Sequence, residues 1–414
     1  MSISKIYISM HCITCLVKLL PQDVHIVDMR RTAFSRSRPT QPERDVFNSL
    51  RMDEASGMLI KDLIKRNGIK PEEIGDVITG SALQADENWT YGGRHQAFHA
   101  NLPFSVPSMS LDRACSSSLN AITIGAMEIM TGQSDIVMAG GMDHMTHVPL
   151  GNNPHVKPNM RLLVRPEYAK YQMGIAYNVI ATAEKLAEQT GISREKMDQY
   201  SYESHKRAAK AYEEGYFKEE ILPVEVEYEG STMIVDTDQS VRKDATFEEM
   251  QKLKPVYKEN GLITAGNSSP LNAGASFSLI MGDNALKSYG LKPMAKIRSF
   301  AVAGVDPSIM GLGPVPATEK ALSRAGLKPE DIDIWEVNEA FAVVALNAMN
   351  AFNIPRDRIN IMGGGISIGH PLGATGSRIL GTLARLLRQK GKKLGVATLC
   401  VGGGQGYSVV LEAE

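Results

Sequence analysis

Residues 68–78 read GIKPEEIGDVI and residues 326–336 read GLKPEDIDIWE, so nearly the same phrase occurs twice, at an offset of 258 residues. Each copy follows an amphipathic run, MLIKDLIKRN in the first case and EKALSRA in the second. Each also contains a glycine, a Lys-Pro turn and the start of an apolar segment. Glycine followed by proline is typical of a helix end and the turn after it. The pattern therefore predicts a helix, a turn and a strand, written twice.

A second pair of segments extends the repeat. At an offset of 259, TGQSDIVMAGG (131–141) aligns with KGKKLGVATLC (390–400). On this register Cys115 lies opposite Ala374, which makes CSSSLNAITIGAM and ATGSRILGTLARL two equivalent helices. Alternating strand and helix signals favour a duplicated α/β fold of mostly parallel strands covered by helices, with functional residues on loops at the strand ends.

The region between the repeats has a different character. Residues 146–271 contain charged helical patterns such as SREKMDQYSYESHKRAAKAYEEGYF and the alternating run VEVEYEG. We interpret this region as an inserted subdomain. Such an insertion often covers a substrate, and a solvated helical face is the alternative interpretation.

Composition narrows the class of protein. The 45 basic and 46 acidic residues nearly cancel, so no global field favours nucleic acid or an anionic membrane. No apolar run approaches the roughly 18 residues of a membrane span. The four cysteines are scattered, which suggests a reducing compartment, and we expect a cytoplasmic protein. Cys12 and Cys15 form a CxxC pair with no second ligand pair, and we predict neither a zinc site nor a redox motif there.

Three motifs resemble known functional motifs, but the sequence around each one does not fit the corresponding function. GISIG (365–369) fits the nucleophile elbow of serine hydrolases, but no aspartate follows Ser367 and the only later histidine is His370. CVGGGQG (400–406) lies between two strand-like runs, which predicts a hairpin rather than a dinucleotide loop. DHMTH (143–147) spaces two histidines three apart, a weak metal signal without a third ligand, and we expect no metal site.

The residues that remain are Cys115, the dipeptide Asn338-Glu339, His370 and Cys400, each after a predicted strand or at a helix start. A thiol at a helix N-terminus meets the positive end of the helix dipole, which favours the thiolate, and the serines after it are candidates for capping the helix. An imidazole can take the thiol proton, and a second thiol can act as acid and base. Two thiols and one histidine indicate carbon or thioester chemistry. Each residue alone also fits a structural role, because a free cysteine is usually a small buried hydrophobe.

Five segments in order resemble the signatures of the thiolase family over nearly all of residues 25–414. They are DRACSSSLNA, TAGNSSPLNAG, VNEAFA, GGGISIGHPLGATGSR and CVGGGQG. The resemblance implies an α/β fold, a duplicated five-layered αβαβα sandwich with an inserted loop domain. We place an N-terminal extension at 1–24, the first half at 25–145 and 272–292, the loop domain at 146–271 and the second half at 293–414.

The resemblance also assigns catalytic roles. Cys115 becomes the acyl-thioester, His370 activates it, and Cys400 moves the proton at the α-carbon of acetyl-CoA. Asn338, through an ordered water, and His370 form one oxyanion hole. The N–H groups of Cys115 and Gly402 form the other.

Two further positions match those that touch the pantetheine of CoA. These are Ser269 in GNSSP and the backbone at Ala340. CoA is thus expected as a co-substrate, with no permanently bound cofactor and no metal.

The implied activity is that of an acetyl-CoA C-acyltransferase, closest to the degradative 3-ketoacyl-CoA thiolases of fatty acid β-oxidation. Its expected ligands are 3-ketoacyl-CoA, CoA and acetyl-CoA. A biosynthetic acetoacetyl-CoA thiolase is the alternative, and a non-catalytic acyl-CoA or lipid-binding relative is a third hypothesis, disfavoured because Cys115, His370 and Cys400 are all present. Members of the family are usually homodimers or homotetramers, and degradative ones commonly have a hydratase–dehydrogenase partner.

The sequence departs from the family pattern at two places. Family members carry a Met-Gly pair before TAE that helps to line the acyl pocket, where this chain has Val179-Ile180, and its own Met173-Gly174 lies six residues earlier. The acyl-chain preference is therefore left open. Ala273 replaces the usual aspartate after LN, which predicts a local change of hydrogen bonding and no loss of chemistry.

Overall fold

The structure, a computed structural model, describes residues 22–151 and 153–414. The extension predicted over 1–24 lies outside the described residues apart from 22–24, and so do Cys12 and Cys15. None of the helices in the described ranges combines the length and the apolar content that crossing a bilayer requires.

Strands and helices alternate through most of the described chain. The strands are β1 (Val24–Arg31), β2 (Ser35–Arg36), β3 (Asp76–Gly80), β4 (Ser108–Leu111), β5 (Ile136–His144), β6 (Val224–Tyr228), β7 (Ser231–Val235), β8 (Asn272–Gly282), β9 (Ala295–Gly304), β10 (Ile334–Val337), β11 (Leu394–Val401) and β12 (Gln405–Ala413). The α-helices are α1 (Met52–Asn67), α2 (Arg94–His99), α3 (Ser117–Met130), α4 (Arg161–Val164), α5 (Met173–Ala176), α6 (Val179–Thr190), α7 (Arg194–Glu213), α8 (Phe247–Gln251), α9 (Asp283–Tyr289), α10 (Pro314–Ala325), α11 (Ala342–Phe352) and α12 (Leu372–Lys390).

Both copies of the repeated phrase fold as predicted. Helix α1 ends at Gly68 and helix α10 ends at Gly326, with φ of 63° and 68°. Only glycine adopts this left-handed conformation without strain. A short 3₁₀ turn follows each glycine, and then β3 or β10 begins. The prediction of a duplicated helix–turn–strand unit is confirmed.

One large sheet runs through both halves in the order β10-β11-β12-β9-β1-β8-β5-β3-β4, with β2 beside β8. Among the strand pairs of this sheet in the described ranges, β3–β4, β3–β5 and β10–β11 are parallel and the other neighbours are antiparallel. The prediction of mostly parallel strands was wrong. A tight hairpin makes β11 and β12 antiparallel. Strand β8 enters the sheet between β5 and β1 after a long insertion and is antiparallel to both.

The two halves meet through the sheet and through a pair of buried helices. Strands β1 and β9 pair only at His25 with Lys296 and Ile26 with Ala295. Helices α3 and α12, predicted to be equivalent, pack against each other, and a Cβ added to Gly376 would lie 2.4 Å from the backbone nitrogen of Leu119. This close approach needs glycine.

Between β5 and β8 lie the helices α4 to α8 and the β6–β7 hairpin. Helix α7 has a buried face that includes Tyr200 and Ser204 and a charged exposed face. Strand β5 ends at His144 and strand β8 begins at Asn272, close to the proposed edges of the insertion at 146 and 271. The division into domains and the substrate-covering role of the insertion stay predictions.

Candidate active site

Cys115 lies in the turn that joins β4 to α3. A 3₁₀ turn over Ala114–Ser116 leads into the helix, and Ala114 has a φ of +42°, which is unusual for a residue with a side chain. The Cys115 side chain is 7% exposed and packs with Ala82, Met145 and Leu372. A strained backbone thus presents a buried thiol at the start of a helix.

The three serines after Cys115 are buried and hydrogen-bonded. The Ser117 hydroxyl accepts from the backbone N–H of Arg113 at 2.8 Å and donates to the carbonyl of Ala114 at 2.7 Å. Ser116 donates to the carbonyl of Arg113, and Ser118 accepts from the backbone N–H of Ser377 in α12. These serines therefore shape the turn and join the two central helices.

His370 lies just before α12, and its backbone N–H and both ring nitrogens form hydrogen bonds. Its backbone N–H donates to the side-chain oxygen of Asn272 at 2.8 Å. Its Nδ1 lies 2.6 Å from the Thr375 hydroxyl, which donates its own hydrogen to the Pro371 carbonyl. The hydroxyl must accept from Nδ1–H, so the lone pair is on Nε2, where the Asn338 amide donates at 3.2 Å.

Burial sets the protonation of both residues. Burial, with the positive charge of Arg378, lowers the pKa of His370 to about 3. Burial raises the pKa of Cys115 to about 11, against the N–H groups of Gly402 and of Cys115 itself, which lower it. The N–H groups at the helix start therefore favour the thiolate as expected, but desolvation outweighs them. The resting pair is a neutral thiol and a neutral imidazole.

Cys400 and Gly402 come from the end of β11 and its hairpin. The hairpin pairs Val401 with Gln405, as predicted from CVGGGQG. The turn that holds Cys115 packs against β11, and a Cβ added to Gly402 would lie 3.8 Å from the Cβ of Ala114. The Gly402 N–H lowers the pKa of Cys115, and the charge of Cys115 raises the pKa of Cys400 further above the effect of burial. The fold thus brings both thiols together. Their catalytic roles, with those of His370, Asn338 and Gly402, stay predictions.

Glu339 has a structural role that sequence reasoning missed. Its buried carboxylate accepts from the hydroxyls of Tyr200 and Ser204, at 2.9 and 2.7 Å, and from the Asn360 amide at 2.8 Å. Ser367 of the rejected serine elbow bonds to Ser204 and to the carbonyl of Gly364. The network therefore clamps the glycine-rich loop before His370 onto the insertion.

A second buried carboxylate, Asp143, was also missed. It accepts from the Ser81 hydroxyl at 3.0 Å, the Asn88 amide at 2.9 Å and the backbone N–H groups of Ala82 and Gly373. Burial raises its pKa to about 7, and the N–H and O–H donors oppose that rise. Asp143 ties the end of β5 to the start of α12, near His370.

Ser269 and Ala340 are adjacent across a small bridge. The Ser269 N–H donates to the Ala340 carbonyl at 2.9 Å, next to the bridge between Ser268 and Phe341. Val179 and Ile180 begin α6, whose cap is the Asn178 side chain, whereas Met173-Gly174 belongs to the separate helix α5.

Comparison with known proteins identifies the family. Residues 24–284 match the family model described as thiolase, N-terminal domain, and residues 291–413 match thiolase, C-terminal domain. The chain belongs to the thiolase family. By this membership it is an acyltransferase, and the predicted thiolase-like α/β sandwich is confirmed.

Several thiolases are similar over nearly their full length. The 3-ketoacyl-CoA thiolase of Saccharophagus degradans is 41% identical over 402 residues, which is 96% of this chain and 100% of the relative. That of Psychrobacter sp. is 41% identical over 95% of this chain and 99% of the relative.

Solved thiolase structures superpose well on the chain. Human mitochondrial 3-ketoacyl-CoA thiolase gives a TM-score of 0.84 at 33% identity, covering 95% of this chain and 99% of that chain. The acetyl-CoA acetyltransferase of Bacillus anthracis gives the same TM-score and identity over 95% of this chain and 100% of that chain. The human enzyme in complex with CoA gives 0.82 at 33% identity, over 96% of this chain and 100% of that chain.

Proposed function

We propose that this thiolase cleaves 3-ketoacyl-CoA with CoA to yield acetyl-CoA and a shortened acyl-CoA, in fatty acid β-oxidation. One observation carries the proposal: the turn that holds Cys115 packs against β11, which contains Cys400, and against α12, which directly follows His370, an imidazole kept neutral with its lone pair on Nε2. Similarity to proteins named 3-ketoacyl-CoA thiolase supports this substrate class.

In the first half-reaction the Cys115 sulfur attacks the keto carbon and its proton passes to His370. Because thiol and imidazole are both neutral at rest, we infer that this transfer accompanies the attack. The C2–C3 bond then breaks and leaves an acyl-thioester on Cys115. The two-carbon enolate takes the proton of Cys400 and departs as acetyl-CoA.

The second half-reaction restores every proton. The thiol of an incoming CoA gives its proton to the Cys400 thiolate and attacks the acyl-thioester. Cys115 leaves as a thiolate and recovers its proton from His370. Both thiols and the imidazole end as they began.

Charge on oxygen is stabilised at two places in this proposal. The N–H groups of Gly402 and Cys115, which lower the pKa of the Cys115 thiol, receive the oxygen of the tetrahedral intermediate. His370, with Asn338 acting through an ordered water, receives the enolate oxygen. The Asn338 amide already donates to His370, which supports their joint action.

We assign the pantetheine arm of CoA to the bridge at Ser269 and Ala340, with CoA as co-substrate and no permanently bound cofactor. Similarity to the human thiolase solved in complex with CoA supports this assignment. Because Val179-Ile180 replaces the Met-Gly pair of the family, the preferred acyl-chain length is left to be measured.

A biosynthetic acetoacetyl-CoA thiolase is a second candidate, favoured by the equal TM-score of the Bacillus anthracis acetyl-CoA acetyltransferase. A panel of 3-ketoacyl-CoAs of rising chain length, assayed for CoA-dependent cleavage, separates the two. We expect turnover on longer chains. Turnover confined to acetoacetyl-CoA would instead support the second candidate, and no turnover on any chain would reject both.

We further propose a cytoplasmic homodimer or homotetramer. Strand β4 ends the large sheet, and exposed aromatic side chains precede it in the chain, including Trp89, Tyr91 and Phe104, the last 94% exposed. An unpaired strand edge near exposed apolar groups supports association. Light scattering after size-exclusion chromatography would test the oligomer, and co-purification from the native source would test for a hydratase–dehydrogenase partner.

A further inference from the structure

A cluster of two histidines and a glutamate has no role in the proposed chemistry. One ring nitrogen each of His144 and His147 and a carboxylate oxygen of Glu87 lie within 4.8 Å of one another. Within residues 22–151 and 153–414 this is the one group of three or more His, Cys, Asp or Glu side chains whose ligand atoms meet so closely. The sequence predicted no metal site at these two histidines because it offered no third ligand, and the fold adds Glu87 from a 3₁₀ turn far upstream.

His144 is set up as a ligand by its surroundings. It is fully buried, and its Nε2 lies 3.0 Å from the carbonyl of Phe47. A carbonyl only accepts, so Nε2 carries the proton and Nδ1 has the lone pair. Nδ1 is buried and has no hydrogen-bond partner among the described residues. Metal-binding histidines commonly donate their second ring N–H to a backbone carbonyl in this way.

His147 and Glu87 supply the other donors. His147 Nε2 lies 3.0 Å from the Asn48 side-chain oxygen, and its Nδ1 lies 2.9 Å from Oε2 of Glu87. Oε1 of Glu87 is buried without a partner in the part of the chain that the structure describes. A proton on Nδ1 satisfies the His147–Glu87 contact, and a metal ion in its place would bind both groups.

The stacking of the two histidine rings means that one ring must move before both can bind the same ion. They are stacked, with centroids 3.8 Å apart and planes 11° from parallel, so the rings must tilt before both nitrogens can face one ion. His144 is enclosed, whereas the His147 side chain is 24% exposed, so His147 is the ring that turns. Arg51, whose Nη1 lies 3.7 Å from Glu87 Oε2, competes for the same carboxylate.

We propose that His144, His147 and Glu87 bind a divalent transition-metal ion of the Zn²⁺ class, with water as the fourth ligand. Two imidazoles and a carboxylate suit this class of ion, and three protein ligands leave one position open. Asn88, next to Glu87, donates to Asp143, which also accepts from Gly373 near His370. The ion therefore braces the turn that supports the active-site loop, and the site does not depend on the proposed function.

The test uses the full-length protein in its native oligomer, with Cys12 and Cys15 changed to serine so that they cannot bind metal. The protein is stripped with a chelator and titrated with Co²⁺, followed by visible absorption, and with Zn²⁺, followed by thermal unfolding. The same titrations are made on His147→Gln and Glu87→Gln. His155→Gln removes a neighbouring exposed histidine and is the matched control.

We expect one Co²⁺ per chain with the strong visible bands of a tetrahedral site and no thiolate charge-transfer band. Affinity should fall in His147→Gln and Glu87→Gln by at least the roughly 100-fold that loss of an outer hydrogen-bond partner alone can cause, and stay unchanged in His155→Gln. Saturating Zn²⁺ should raise Tm by at least about 2 °C in the parent protein and in His155→Gln, and should leave Tm unchanged in His147→Gln and Glu87→Gln.

Three results would overturn the proposal: no stoichiometric binding, a thiolate band that locates the ion at Cys115 or Cys400, or equal affinity in the ligand variants. Thermal unfolding of the metal-free variants checks that each is folded, and Glu87→Gln serves if His147→Gln is not. Loss of metal binding with thiolysis intact separates this site from the proposed function.

Discussion

The Nδ1 atom of His370 lies 2.6 Å from the hydroxyl oxygen of Thr375, and that hydroxyl donates its hydrogen to the carbonyl of Pro371. The hydroxyl can only accept from the ring, so the relationship fixes the tautomer in which Nε2 is unprotonated. Thr375 is thus a positioning residue for the proposed base.

Thr375→Val keeps the shape of the side chain and removes the acceptor. A buried Nδ1–H without a partner costs about 1–3 kcal/mol, so we expect kcat to fall by about 10- to 100-fold with KM for CoA nearly unchanged. Steady-state thiolysis measures both constants. Thr375→Ser keeps the hydroxyl and should retain most activity, and equal rates in the two variants would contradict this role.

Cys115→Ala and Cys400→Ala should fail in different ways. Without Cys115 no acyl-thioester forms, and turnover should fall by at least about three orders of magnitude. Without Cys400 the nucleophile remains, so substrate should leave a slowly formed acyl group on Cys115. Intact mass and peptide mapping after mixing with a 3-ketoacyl-CoA distinguish the two, and an adduct in Cys115→Ala would refute the assignment.

Alkylation of the free enzyme should report the raised pKa of Cys115. With that pKa at about 11, the thiolate fraction rises about tenfold for each pH unit between pH 7 and 9. The rate of carbamidomethylation at Cys115, followed by mass spectrometry of its peptide, should rise in step. A plateau below pH 8 would mean that the resting site holds a thiolate.

Gly376→Ala tests the crossing of α3 and α12. The new methyl would lie 2.4 Å from the Leu119 backbone, which cannot move aside as a side chain could. We expect destabilisation of about 1–3 kcal/mol or more, seen as a lower unfolding midpoint in urea. Gly174, also helical, has no atoms within 4 Å of an added Cβ, and Gly174→Ala should change stability by less than about 0.5 kcal/mol. Similar midpoints for the two variants would show that the crossing tolerates a methyl group.

The sequence predicted the elements of the fold better than their directions. The phrases at 68–78 and 326–336 specify a helix end, a turn and a strand by local chemistry, and both fold so. Whether neighbouring strands run parallel depends on how β8 returns after the insertion. Local patterns contain no information on that return.

The site was predicted by residue identity more than by environment. The structure brings Cys115 close to Cys400 and to Gly402, and joins His370 to Asn338. The partners of His370 were missed, although Thr375 follows it by five residues in the first turn of α12, a spacing that can place a hydroxyl beside the ring. Asn272 lies at the start of β8, and no pattern in the sequence around His370 predicts a hydrogen-bond partner from that strand. The burial that raises the pKa of Cys115 against the effect of the helix start was missed because burial is a property of the whole fold.

The proposed nucleophile and its partners are far apart along the chain: Cys115 belongs to the first half, and His370 and Cys400 to the second. During translation, Cys115 therefore emerges from the ribosome long before His370 and Cys400 are synthesised. The emerging chain cannot consume cellular thioesters, because the site is assembled only when α12 docks against α3. The enzyme therefore becomes reactive only when synthesis is nearly complete. In a refolding experiment, recovery of activity would measure the docking of the two halves and not the folding of either half alone.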